Sequence, residues 1–348
     1  MPLPDPATLP LWLSVTLFAA AGGVIWLTGS RLTVRLDSVA ARTGLDRAFL
    51  GMLLLGGITA LPEVATLISA SSLGRPALAV NNLLGAAAIN VLLLAIVDGF
   101  VGRSAVTGIV AQPSTMMMAA TAMIVLVLIA ATVTIGDVAI PGIGIGVACA
   151  LISLICTLCF WMSATHDRRS PWTVDEDGDK RPDTQPTAPV TERSLPRLWL
   201  EVAGCGVLIF ATGFVLSRLG DGLARQLGLT SAAVGFALMG PATALPELGT
   251  IIAALRINRP EMAFGQVLGT NFVSFALLPL GDAVYRGAPI IATLGRFEQL
   301  SALLGATLIG IFMVGLLEHR DRTVLRMGID SVLVILVFIA GAATLIQL

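Results

Sequence analysis

The sequence predicts an all-α integral membrane protein with about ten transmembrane helices, arranged as two inverted five-helix repeats. Three observations support this fold class: the composition, a regular series of long apolar runs, and an internal repeat. Of the 348 residues, 56% are hydrophobic and 12% are charged, and the mean hydropathy is +0.90. Soluble domains contain about 25% charged residues, so a water-soluble fold is not expected. The net charge of −1 gives no reason to expect a nucleic-acid partner.

A helix that spans a bilayer needs about 20 mostly apolar residues. Ten stretches meet this requirement: 9–28, 49–72, 77–98, 106–133, 139–163, 197–217, 228–254, 261–281, 292–317 and 327–347. The first has no basic region before it, so we expect a retained span and not a cleaved signal peptide. One polar segment, 165–196, divides the chain into halves 1–164 and 197–348, and we expect it to be a flexible connector.

The connector contains an acidic run, Asp175–Asp179. A calcium-binding EF-hand loop starting at Asp175 would need Glu at its twelfth position, where this chain has Pro186, so we expect a solvated turn.

Basic residues predict the orientation, because cytoplasmic connections of membrane proteins are enriched in Lys and Arg. Sixteen of the 21 basic residues face the cytoplasm if both termini lie outside, which predicts a cytoplasmic connector.

The internal repeat matches residues 51–98 with residues 235–282 at an offset of 184. Nineteen of these 48 positions are identical, which shared hydrophobicity alone does not explain. Because each half has five spans, the second copy enters the membrane from the opposite side. Inverted repeats of this kind are typical of secondary transporters, in which two similar halves exchange inward-open and outward-open conformations.

Each repeat contains the segment Thr-Ala-Leu-Pro-Glu, which places Glu63 and Glu247 half way along apolar spans. A charge at the membrane centre costs about 2.5 kcal/mol or more, so such a residue is a functional candidate. No Lys or Arg lies in the middle of a span to pair with them, since Arg197 and Arg296 are near span ends. The proline before each glutamate lacks an N–H group, which leaves the carbonyls of Ile58 and Ala242 without their helical donor and predicts broken helices.

The following span of each copy supplies further polar side chains: Asn82, Asn90, Gln266, Thr270, Asn271 and Ser274. Residues four apart share a helix face, so these side chains should line one face of each span, although they could instead bond neighbouring helices.

Two carboxylates with amide, hydroxyl and carbonyl oxygens make a flexible site with a charge of about −2. Calcium accepts 6 to 8 such ligands, whereas magnesium needs tighter octahedral geometry, so calcium is expected. Sodium ions or protons could compete for the same oxygens, which would give antiport.

Cysteine and histidine offer no comparable pattern. Four cysteines lie in apolar runs and are expected to be small buried residues: Cys149, Cys156, Cys159 and Cys205. His166 and His319 fall in polar connections, which disfavours a buried His-based metal site or a His-dependent hydrolase. We expect no enzymatic activity and no cofactor other than the transported ions.

These motifs resemble the sodium/calcium exchangers of the cation/calcium antiporter superfamily, whose repeats contain G-T-S-x-P-E and G-N-x-x-G-S-N-x-x-N/D. The resemblance implies ten spans and a calcium site formed by Glu63 and Glu247, with the backbone carbonyls of Thr59 and Thr243. It also assigns binding roles to four residues of the second motif: Asn90, Thr270, Asn271 and Ser274.

This sequence also departs from the family pattern. Ala60, Ala244 and Ala86 replace motif serines that help to form sodium sites in the family, and Ser274 replaces a common acidic residue. Weakly bound sodium would lose ligands at each position. Protons need no ligand shell, and a buried carboxylate is protonated more easily than one in water. The sequence therefore predicts exchange of calcium for protons, or for fewer sodium ions than is usual in the family.

The expected function is that of a secondary active cation antiporter that exports calcium by alternating access, in exchange for sodium or protons. Two alternatives remain, an exchanger for another mono- or divalent cation and an ion channel. An intramembrane hydrolase would need catalytic groups that the spans lack, and a structural or receptor role would not need the two glutamates. Resemblance and size place the protein in the plasma (inner) membrane, with the lipid bilayer and transported cations as partners and no obligatory protein partner evident.

Overall fold

A computed structural model describes residues 6–43, 56–101, 113–166, 194–256, 260–318, 323–324 and 327–348. In the first half the α-helices are α1 (Leu11–Thr43), α2 (Gly56–Thr59), α3 (Leu61–Ser72), α4 (Pro76–Val101), α5 (Pro113–Ile135) and α6 (Val147–His166). In the second half they are α7 (Leu195–Leu227), α8 (Ser231–Val234), α9 (Gly240–Thr243), α10 (Leu245–Arg256), α11 (Pro260–Ala276), α12 (Leu278–Val284), α13 (Arg296–Glu318) and α14 (Ile329–Ile346). Two strands, β1 (Thr323–Val324) and β2 (Met327–Gly328), pair antiparallel, and a π-helix covers Gly235–Met239.

The helices fall at the ten predicted places, which confirms the membrane fold of two inverted five-helix repeats. Seven helices in the described ranges are long and apolar enough to cross a membrane, and Val147–Met162 is a shorter apolar segment. The second and seventh predicted spans are the broken ones, α2 with α3 and α8 to α10. Most of the predicted connector, residues 167–193 with its acidic run, lies outside the described residues.

Two helices are longer than the sequence predicts. Helices α1 and α7 each have 33 residues, against predicted spans at 9–28 and 197–217. At 1.5 Å per residue each is about 50 Å long, more than the bilayer core requires. Hydropathy marks only the apolar part of each helix, while the helical backbone continues into an amphipathic segment with Arg and Asp side chains.

The two long helices pack along each other, and each also packs against the broken helix of the opposite half. Helix α7 lies on α3, where a Cβ atom on Gly213 would be 2.9 Å from Cα of Pro62. Helix α1 lies on α10, where a Cβ atom on Gly29 would be 2.6 Å from Cβ of Pro246. Gly29 and Gly213 are themselves 184 residues apart, so the contacts follow the repeat.

Helix α4 forms the centre of the bundle and packs against α13 and α14, while α11 packs against α5 and α6. In α4, 78% of the apolar window is buried inside the protein. Its surroundings explain why this span is apolar on nearly all sides, since helices that are hydrophobic all round are buried ones.

Matched aspartates link the halves at opposite ends of the bundle. Asp98, at the end of α4, accepts a 2.8 Å hydrogen bond from the backbone N–H of Gly328. Asp282, its repeat counterpart on α12, accepts from the backbone N–H groups of Gly146 at 2.8 Å and Ile290 at 2.6 Å. Each carboxylate therefore holds the segment that precedes the last helix of the other half.

Candidate cation site

The two glutamates lie where the second and seventh spans are interrupted. Helix α2 ends at Thr59 and α3 begins at Leu61, with Ala60 between them at φ −75° and ψ −4°. Helix α9 ends and α10 begins around Ala244, at φ −81° and ψ 2°. Glu63 and Glu247 fall in the first turns of α3 and α10. The predicted breaks are confirmed, and each carboxylate lies at a helix N-terminus, where the helix dipole favours negative charge.

The two carboxylates come from opposite halves and meet in the interior. Glu63 is 1% exposed and Glu247 is fully buried. They are close enough for their negative charges to repel each other. The Glu63 carboxyl lies beside the hydroxyl of Thr243, and the Glu247 carboxyl lies beside the hydroxyl of Thr59. The repeat thus produces a crossed arrangement in which each glutamate faces the threonine of the other copy.

The threonine hydroxyls also have hydrogen-bond acceptors away from the carboxylates. Thr243 Oγ1 lies 3.1 Å from Oδ1 of Asn82 and 3.2 Å from the carbonyl oxygen of Gly240, and Thr59 Oγ1 lies 3.2 Å from that of Gly56. Within the described part of the chain, none of the four glutamate oxygens accepts a hydrogen bond, and no Lys or Arg forms an ion pair with either glutamate. Buried polar atoms in proteins are normally paired, so these oxygens are suited to a cation.

The remaining predicted residues lie on α4 and α11. All four are at most 5% exposed: Asn90, Thr270, Asn271 and Ser274. Thr270 Oγ1 lies 3.7 Å from the position of a Cβ atom on Gly56, which places it against α2. Both polar atoms of the Asn90 amide, Thr270 Oγ1 and Nδ2 of Asn271 lack a hydrogen-bond partner among the described residues. Asn90, Asn271 and Ser274 therefore sit on the two helices beside the breaks without bonding either glutamate.

A close backbone contact brings the second broken helix against α4. A Cβ atom on Gly240 would lie 2.6 Å from the carbonyl carbon of Gly85 and 2.7 Å from the nitrogen of Ala86. A Cβ atom on Gly85 would lie 2.5 Å from the carbonyl oxygen of Phe236. Only glycine fits at these two positions, and the contact lets Thr243 reach Asn82.

Three features of the site escape sequence reasoning. The first is the pairing of Asn82 with Thr243, because the repeat aligns residues but does not say which ones touch. The second is the π-helix Gly235–Met239, a rare form often found at functional sites. The third is a matched threonine pair: Thr66 donates to the carbonyl of Pro62 and Thr250 to that of Glu247, both at 2.8 Å. Thr66 and Thr250 occupy matched positions of the repeat, and this identity could have revealed the pair from the sequence.

The donors around the glutamates are all oxygen atoms of carboxylate, hydroxyl, amide and carbonyl groups. Such a set suits Ca²⁺, Na⁺ or Mg²⁺ and not the softer metals that prefer sulfur or imidazole. A charge of −2 without protein counter-charge can be neutralised by one divalent cation, by two monovalent cations or by two protons.

Comparison with known proteins places this arrangement in a family. The profile of the family described as "Sodium/calcium exchanger protein" matches residues 13–164 and 198–347. A protein from Alkalimonas amylolytica named "Putative antiporter CaxA" is 23% identical over 315 residues, covering 89% of this chain and 93% of the relative. Two solved structures of the sodium-calcium exchanger NCX_Mj share the fold, one soaked with Na⁺ and Sr²⁺ and the other without Na⁺ and Ca²⁺. The first has a TM-score of 0.59 and 16% identity and covers 96% of this chain and 99% of NCX_Mj.

The structure of NCX_Mj soaked without Na⁺ and Ca²⁺ has a TM-score of 0.57 at 16% identity, and it covers 97% of this chain and 100% of NCX_Mj. Both family matches include the broken helices and their glutamates, one in each half. The chain belongs to the sodium/calcium exchanger protein family, a family of membrane antiporters.

Proposed function

We propose that this protein exports calcium in exchange for protons or sodium by alternating access, with Glu63 and Glu247 as the central ligands. The observation that carries the proposal is the crossed pair of glutamates, whose four oxygens are buried and accept no hydrogen bond from the described residues. In the proposed site the glutamates are joined by Thr59, Asn90, Thr243, Thr270, Asn271 and Ser274.

The counter-ion follows from the charge of the site and its missing hydroxyls. Ala60 and Ala244 form the two helix breaks and are fully buried, and Ala86 lies against Gly240. The family resemblance places serines at these three positions as sodium ligands. Methyl groups cannot replace them, so we favour protons as the counter-ion. Two protons restore the charge balance that one Ca²⁺ provides, and the exchange would then be electroneutral.

The orientation follows from the distribution of basic residues. We propose that the protein lies in the inner membrane with both termini outside and the connector in the cytoplasm, because this places sixteen of the 21 Lys and Arg residues on the cytoplasmic side. Exposed tryptophans near the ends of the predicted apolar spans suit anchoring at the membrane surface, at Trp12, Trp26, Trp161 and Trp199. Labelling of single cysteines placed in the connector, with a membrane-impermeant reagent, tests this orientation.

The deciding experiment is calcium flux into proteoliposomes under an imposed sodium gradient, an imposed pH gradient, or neither. We expect uptake driven by the pH gradient, insensitive to membrane potential, and abolished by Glu247→Gln. Uptake driven by sodium at clamped pH would overturn the proton assignment. The variants Ala60→Ser and Ala244→Ser refine the test, because restoring the hydroxyls should introduce sodium dependence if the alanines set the counter-ion.

The same flux assay separates the alternatives. An ion channel would give calcium flux that follows voltage without any counter-ion gradient, which would contradict antiport. An exchanger for another cation would show no calcium flux under any gradient, and a different ion would then compete at the glutamates.

A further inference from the structure

We infer that Asp137, Cys149 and Asp282 form a second metal site, for a thiophilic divalent cation such as Zn²⁺. The site is separate from the central glutamates. It lies at one end of the bundle, between the loop 136–146, the first turn of α6 and the end of α12.

The three side chains converge, with Asp137 and Cys149 from the loop 136–146 and the start of α6, and Asp282 from the other half of the chain. One ligand atom from each lies within 4.8 Å of the other two. Cys149 is fully buried, Asp282 is 4% exposed and Asp137 is partly exposed. The converging atoms are two carboxylate oxygens and one thiol sulfur, and Cys149 is not in a disulfide.

Backbone groups hold both carboxylates in place. Oδ1 of Asp137 accepts 2.8 Å hydrogen bonds from the N–H groups of Val138 and Ala148, and Asp282 is held by Gly146 and Ile290. Gly146 contacts the Asp137 carboxylate so closely that no side chain would fit there. The carboxylates are thus preorganised, which lowers the entropic cost of binding a ligand.

The charge of the cluster points to a cation. Neither aspartate forms an ion pair with Lys, Arg or His in the described ranges of the chain. Two carboxylates within 4.8 Å repel each other, and a bound divalent cation would offset that repulsion. Asp137 caps the first turn of α6, where its Oδ2 also lies 3.4 Å from the backbone nitrogen of Cys149. The Cys149 thiol lies within hydrogen-bond reach of Asp282, so both acids face the same sulfur.

The donor set identifies the class of metal. Zn²⁺ binds thiolate sulfur at about 2.3 Å and carboxylate oxygen at about 2.0–2.2 Å, so its ligand atoms lie about 3.5 Å apart. The three atoms would close in by about 1 Å and leave a fourth position for water. Binding forms a metal–sulfur bond and releases the Cys149 proton to solvent, because only the thiolate is a ligand.

A cavity of about 430 Å³ lies beside the cluster. Its walls are mainly apolar and include Leu128, Val147, Leu151 and Ile152 of α5 and α6. Asp137 is the charged residue in this wall, so the partly exposed edge of the cluster faces the cavity.

The test uses cadmium as a probe, because a cadmium–thiolate bond absorbs in the ultraviolet whereas cadmium bound to oxygen ligands does not. The protein carries Cys156→Ala, Cys159→Ala and Cys205→Ala, so that Cys149 is its sole cysteine. We expect one equivalent of Cd²⁺ to produce the thiolate absorption, and Asp137→Asn to raise the Kd at least tenfold. Cys149→Ala in the same background should abolish the absorption.

Absence of the absorption from the sole-cysteine protein, or an unchanged Kd in Asp137→Asn, would overturn the proposal. Size-exclusion chromatography and metal-free thermal unfolding check that each variant folds. If the triple background is unstable, the difference spectrum between the unsubstituted protein and Cys149→Ala gives the same answer. Zn²⁺ should also raise the Tm of the unsubstituted protein and not that of Cys149→Ala. Cadmium at the central glutamates gives no thiolate absorption, so this result is independent of the antiport assays.

Discussion

Thr243 and Asn82 are joined by a 3.1 Å hydrogen bond that connects the broken helix of the second half to the central helix of the first. The bond directs the Thr243 proton toward the Asn82 amide and leaves a hydroxyl lone pair for the site beside Glu63.

Asn82→Ala should therefore weaken calcium binding. Without Asn82, the Thr243 hydroxyl has the carbonyl of Gly240 and Glu63 as acceptors. Donation to Glu63 competes with the cation, at a cost of about 1 kcal/mol for one net hydrogen bond. We expect the KM for calcium to rise about fivefold with little change in maximal rate, measured from uptake at varied calcium concentration. Thr212→Ala is the control, since its hydroxyl donates to the carbonyl of Leu208 on its own helix, away from the glutamates. An unchanged KM would show that Asn82 does not orient Thr243.

Calcium should stabilise the folded protein through the two glutamates. A ligand at a concentration of about 100 times its Kd adds about 2.7 kcal/mol to the free energy of unfolding. Glu63→Gln and Glu247→Gln should each lose this stabilisation and also lose transport, while retaining the fold because glutamine has the same shape. Thermal unfolding with and without calcium measures the effect. A full calcium-dependent rise in Tm in both variants would place the cation elsewhere.

The close contacts of Gly29 and Gly213 should be essential for transport. Valine at either position would press into Pro246 or Pro62, and overpacking of this kind typically costs about 1–3 kcal/mol. We expect Gly29→Val and Gly213→Val to reduce the transport rate at least tenfold.

Matched controls for the glycine variants lie on the same two helices. A Cβ atom at Gly23 or Gly204 would meet nothing within 4 Å, so Gly23→Val and Gly204→Val carry the same helix-propensity change without the contact. Equal transport rates in the contact and control variants would contradict the prediction.

Asp221 should contribute more to stability than Glu201, although both acids on α7 bind two arginines. Asp221 lies 3.0 Å from both Arg75 and Arg225, and its side chain is 8% exposed, against 22% for Glu201. Burial reduces screening by water, so Asp221→Asn should lower the Tm by several degrees and Glu201→Gln by less. Thermal unfolding of the two variants at low and high salt tests this order, and a larger loss in Glu201→Gln would refute it.

Much of this structure follows from the sequence, because its determinants are local or repeated. Hydropathy runs predict the ten spans, since each span must be apolar over the thickness of a bilayer. Pro62 and Pro246 predict the helix breaks, since a missing N–H group interrupts helical hydrogen bonding wherever it occurs. Glu63 and Glu247 are candidates because an unpaired charge in an apolar span is costly. The extent of α1 and α7 was not predictable, because their amphipathic ends carry no hydropathy signal.

The sequence by itself determined the membrane fold, the inverted symmetry and the residues of the candidate cation site. Only the tertiary structure decided which of those residues meet: Glu63 with Thr243 and not with its own Thr59, and Asn82 with Thr243. It also brought Asp282 against Asp137 and Cys149, although these residues belong to different halves of the chain. The physical reason is that hydropathy and proline chemistry act along the chain, whereas pairing across the two halves depends on helix packing, which close glycine contacts such as Gly85 with Gly240 make possible.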